Sequence, residues 1–147
     1  MHQQSTSHLF MIEPVEFYAN EQTAYTNHYQ KAVSDEAADK IAEKALTEFH
    51  DLKNAIEKRG IKVTTLLGSK DCPDHIFPNW FITFDDKTMQ IFSMMAPNRR
   101  EEKKPHMIQH LSETYELTDD MSDLEDKEIF LESTSSCLLY TSPSPRD

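Results

Sequence analysis

The sequence predicts a mixed α/β fold with antiparallel content, and three observations carry that expectation. Residues 34–59 repeat apolar positions at helical spacing, residues 61–65 alternate as a strand directly after them, and β-rich runs at 80–84 and 89–94 flank a four-residue turn. The first pair is an α/β unit and the second a hairpin, which differs from a doubly wound parallel sheet.

In chain order, residues 9–15 mix apolar and polar side chains as a strand that Pro14 interrupts, and Asn20-Glu21-Gln22-Thr23 reads as a loop or cap. The helix places Ala38, Ile41, Ala42, Ala45, Phe49, Leu52 and Ile56 on one stripe, with Ser34 able to cap it and Gly60 able to end it in the left-handed conformation. Ile61, Val63 and Thr65 alternate with Lys62 and Thr64 as the following strand, and Asp85-Asp86-Lys87-Thr88 has the length and chemistry of a hairpin turn. Met94-Met95 reads as core filling. Beyond Ala96-Pro97-Asn98, the charged stretch 99–104 and the spacing of Met107, Ile108, Leu111 and Tyr115 predict a second helix, with Pro105 in its first turn. An acidic loop at 118–127 and a final strand at 128–132 complete the order.

Composition limits the function classes. With 37% hydrophobic residues, eight Phe and five Tyr, the chain holds enough apolar material for a packed core. The net charge of -11 repels phosphate backbones, and the clustered bases Arg99-Arg100 and Lys103-Lys104 alternate with Glu101-Glu102 as a solvated helix face does, so no nucleic-acid partner is expected. No stretch approaches the roughly 18 apolar residues of a membrane span. Gly60 and Gly68 are the only glycines, which excludes glycine-rich nucleotide loops. Asp71-Cys72-Pro73-Asp74-His75 lacks the second ligand pair a zinc site needs, so no metal is expected there. Cys72 without a pairing cysteine in the same region points to a reduced, cytoplasmic setting.

Four segments together resemble one family. Met11-Ile12-Glu13-Pro14-Val15-Glu16-Phe17 with Asn20-Glu21-Gln22-Thr23-Ala24, then Asp74-His75-Ile76-Phe77-Pro78-Asn79-Trp80, Ala96-Pro97-Asn98-Arg99-Arg100-Glu101-Glu102 and Phe130-Leu131-Glu132-Ser133-Thr134 follow the order of motifs in the guanidino-group-modifying enzymes. This is the amidinotransferase or pentein superfamily, and the nearest branch looks like the arginine-deiminase-related, citrulline-utilization hydrolases. One asparagine precedes Trp80 where two are expected, and Ser133 and Ser135 stand where glycines are expected.

The resemblance implies a five-bladed α/β propeller, of which residues 1–136 hold roughly the first two blades. It implies a hydrolase or amidinotransferase acting on a guanidino or ureido amino acid of the arginine or citrulline type. The reaction runs through a covalent cysteine intermediate, with a histidine moving protons and no cofactor. Glu132 matches the acid beside that histidine. Asn79, with Asp74, matches the loop that bonds the guanidino or ureido end, and Arg99 or Arg100 matches the basic element that faces the substrate carboxylate or orients the site. The family's histidine and cysteine are expected further along than Ser136. A non-catalytic binding protein with a pentein-like fold is the alternative. Residues 137–147 resemble the translation of a transposase sequencing adapter, against a Ser/Pro-rich disordered tail as the other reading, and the sequence sets no oligomeric state.

Overall fold

The structure, a computed structural model, describes residues 6–24 and 35–132. Ser34, Ser133, Ser135, Cys137 and residues 137–147 lie outside the described residues, as does the side chain of Ala38.

The first layer is a parallel strand pair. β1 (His8–Glu13) runs beside β2 (Lys62–Leu67), in register from His8 against Lys62 to Glu13 against Leu67. β1 stops before Pro14, which has no N–H to offer a neighbouring strand. Parallel neighbours need a crossover, and here it includes a short α1 (Glu21–Ala24) and the long α2 (Asp35–Glu57). Phe49 anchors α2 in the interior, while Leu52, expected on the same stripe, is 55% exposed. At ~100° per residue Leu52 lies about 60° from Phe49, on the edge of the stripe. Gly60, at φ 80, ends the helix, and the Arg59 guanidinium donates to the Ala55 carbonyl (2.9 Å).

The second layer has three strands in the order β3-β4-β5. β3 (Phe81–Thr83) and β4 (Thr88–Ile91) form the expected antiparallel hairpin, and Asp86 accepts from the Thr88 N–H at 3.0 Å in its turn. The second helix divides in two. Pro105 requires its predecessor to be extended, and Lys104 has φ -72 and ψ 135, so α3 (Pro97–Arg100) is separated from α4 (Pro105–Ser112). Arg99 and Arg100 therefore sit in the last turn of a short helix, where the dipole favours cations.

The final third departs from expectation. β5 (Glu116–Asp120) lies in the stretch expected to lead into and form an acidic loop; it pairs parallel to β4, and all five of its residues are exposed. A strand without a buried face carries no hydrophobic alternation to find. Conversely, residues 128–132 are not a strand. A 3-10 turn (Ser122–Lys127) ends at Glu128 in the left-handed conformation, and the chain beyond it meets the rest at Leu131, whose N–H donates to the Ser93 carbonyl (3.1 Å).

One core joins both layers. Ile12 of β1, Trp80, Met89 of β4, Met94, Met107 and Leu111 of α4 are buried together, with Phe10, Leu66 and Phe81 packed against them. Phe10 and Phe81 meet edge to face, 5.4 Å between centroids. Met94 fills the core as expected, whereas Met95 is 43% exposed. Among the described residues no helix is long and apolar enough to cross a membrane.

Candidate functional site

The site is assembled by the ends of elements. Pro14 releases the chain from β1 and brings Asn20 to the start of α1, where its Oδ1 accepts the Gln22 N–H (3.1 Å) as a cap. The loop after β2 carries Asp74, His75 and Asn79, and α3 carries Asn98, Arg99 and the following Glu102.

Asp74 is buried at 6% exposure. Its Oδ2 accepts from Asn20 Nδ2 at 2.7 Å and from the Thr23 hydroxyl at 3.2 Å. Asn98 Nδ2 donates to Asn20 Oδ1 (2.7 Å), and the Asn98 N–H donates to Gln22 Oε1 (2.9 Å). Three segments far apart in sequence thereby share one polar network.

Arg99 and Glu102 form a two-bond fork, Nε to Oε1 at 3.0 Å and Nη2 to Oε2 at 3.1 Å, with side chains 9% and 1% exposed. The same Nη2 faces the Phe77 carbonyl (2.6 Å) and Asn79 Oδ1 (3.0 Å). The solvated helix face expected for this cluster is thus corrected: Arg99 and Glu102 are interior. Burial pushes the Glu102 carboxyl up to about 7, against the pull of Arg99, and the charges of Asp74 and Glu132 add to the rise.

Arg100 donates to the Met94 carbonyl (2.9 Å) and the Met95 carbonyl (3.1 Å), while Glu132 Oε1 accepts the Met95 N–H at 2.9 Å. Arg100 and Glu132 thus grip one residue from two sides. Lys103 forms a buried ion pair with Glu125, whose Oε1 also accepts the Met94 N–H (2.8 Å). That pair fixes the 3-10 turn that delivers Glu132.

All five residues singled out in the sequence fall in this region: Asp74, Asn79 and Arg99 through direct bonds or shared neighbours, Glu132 and Arg100 through Met95. Asn20, Asn98 and Glu102 stand within the quoted motifs, but the sequence assigned none of them a role in the site. Glu102 stands three residues after Arg99, a spacing that pairs charges on a helix, and this was its available signal.

The Cys72-to-His75 segment makes no nucleophile pair. Cys72 is buried, its thiol is raised by burial and points to the Asn98 carbonyl at 3.6 Å. His75 Nδ1 accepts the Ser69 N–H (3.1 Å), which puts the ring proton on Nε2, and burial lowers its pKa to about 4. Among the described residues no group of three or more His, Cys, Asp or Glu gathers as a metal site would.

The family model for the eukaryotic N,N-dimethylarginine dimethylhydrolases matches residues 13–142. The chain belongs to this family. No curated protein and no solved structure matches it. The dimethylarginine dimethylhydrolases are hydrolases acting on a methylated arginine, and they stand within the guanidino-group-modifying superfamily expected from the four motifs. Membership implies a pentein fold, with which the two small sheets agree in class.

Proposed function

We propose that the protein takes part in hydrolysis of a guanidino amino acid, methylated arginine or a relative of the citrulline-utilization type. The supporting observation is a cluster of carboxylates: Asp74 and Glu102 are buried, Glu132 is near enough to act on the Glu102 carboxyl, and Arg99 is the partner cation. A planar guanidinium has donors and no acceptors, so it fits acceptor-only carboxylates that bond it side-on. Asp74 and Asn79 hold the reacting end, Glu132 stabilises positive charge as the carbon becomes tetrahedral, and Arg100 serves the carboxylate end, since Arg99 is committed to Glu102 and Asn79.

The chemistry proposed is thiolate attack on the guanidino carbon. Its C–N bond breaks with the amine taking a proton from a histidine, and water then displaces the sulfur, leaving a ureido product. The sulfur and imidazole come from outside residues 1–136, and no cofactor is needed. Together these residues form part of a pentein propeller, near its first two blades. A cytoplasmic setting goes with a chemistry that needs a reduced thiol.

A second reading, a non-catalytic binding protein of the same fold, is favoured by Cys72: the one cysteine among the described residues is buried and protonated. Calorimetry of the chain with N,N-dimethylarginine and arginine, alongside an assay for released dimethylamine, separates the two. Binding weakened roughly 10- to 100-fold by Asp74→Asn is expected from loss of a charged hydrogen bond. Absence of binding to either compound sinks both readings.

A further inference from the structure

Arg99 lies inside the site, yet its Nε and Nη2 edge is turned to protein. Glu102 takes the fork, and Nη2 also meets the Phe77 carbonyl and Asn79 Oδ1. A guanidinium has only donors, so the Asn79 atom facing it must be the oxygen. The orientation of that amide is therefore fixed by chemistry. Its Nδ2, carrying two N–H donors, makes no hydrogen bond among the described residues, and the side chain is part-exposed.

We propose that Arg99 is a positioning residue that locks the Asn79 amide so that it offers N–H donors to the ligand, making Asn79 a recognition group for a ureido oxygen. This rests on the guanidino-amino-acid reading above. Asp74 accepts from ligand N–H groups and Asn79 donates to ligand oxygen. A ureido group presents both, whereas a guanidinium presents N–H alone. The site thus distinguishes the oxygen-bearing partner of the reaction from its nitrogen counterpart.

The test compares arginine with citrulline, which share a carboxylate and chain length and differ at one terminal atom. Calorimetric Kd values are measured for the full chain and for Arg99→Met, Asn79→Ala and the double variant, with Arg99→Lys as a second variant should the methionine fail to fold. The expected result is a loss of citrulline affinity in each variant roughly tenfold greater than the loss of arginine affinity, so that selectivity between the two ligands falls. The double variant should be no worse than Asn79→Ala, as for two residues acting through one contact. In the ligand-free protein, the Asn79 side-chain amide resonance should shift in Arg99→Lys.

Equal loss for both ligands would make Arg99 a carboxylate ligand and overturn the proposal. An unmoved Asn79 resonance overturns it as well. A wild-type chain that binds neither compound sinks the guanidino reading itself and this proposal with it, and that outcome is distinct because selectivity is then never seen.

Discussion

Glu102 and His75 are both buried, and their proton equilibria are displaced in opposite directions. Glu102 holds its proton more tightly folded, at about 7 against 4.5, so stability falls as pH rises across that window. His75 holds its proton less tightly folded, at about 4 against 6.5, so stability rises with pH there. Between about pH 4.5 and 6.5 the two slopes cancel. Glu102→Gln should expose the His75 slope, and the urea midpoint should climb with pH by up to about 1.4 kcal/mol per unit in stability. His75→Gln should reverse that sign. A flat profile in both variants would remove the opposition. At this scale the sequence showed residue types but not their depth: Arg99 and Glu102 share a spacing that fits a wet helix face equally well. Asn20 was legible as a cap, yet its bond to Asn98, 78 residues away, has no local trace.

Elements were legible wherever one face is buried. The α2 stripe, the β2 strand and the hairpin were found because apolar spacing records burial. β5 was missed because it is held by backbone pairing, by Gln90 Nε2 donating to Asp119 (2.9 Å) and by the Thr118 hydroxyl donating to the Met89 carbonyl (3.1 Å). The two glycines test the element ends. A Cβ on Gly68 would meet the Glu13 carbonyl oxygen at 2.8 Å, whereas one on Gly60 meets nothing within 4 Å and suffers only its φ of 80. Gly60→Ala should cost about 1 kcal/mol, and Gly68→Ala more, by thermal or urea unfolding. Lys103 and Glu125 make a third case, with side chains 8% and 12% exposed. Glu125→Ala strands a buried ammonium and should cost about 3 kcal/mol, with Lys103→Met added to it recovering part of the loss. The same variant should loosen Glu132, read as faster amide exchange at Met95.

At the scale of the molecule, the sheets of two and three strands have open edges among the described residues, and apolar side chains are exposed. Leu67 is 62% exposed, Ile129 52%, Phe77 51% and Leu131 50%. Such surface associates, so sedimentation velocity should show concentration-dependent self-association of the chain, and a single monomeric species across the range would count against it. The superfamily was legible from four motifs in order, because site loops keep local chemistry. How the layers share a core was not, because Ile12 and Trp80 meet only in three dimensions. Trp80 is the chain's single tryptophan, fully enclosed where both layers converge. Its fluorescence is thus an optical gauge already wired into the joint between the halves, and a red shift on heating would mark the moment they part.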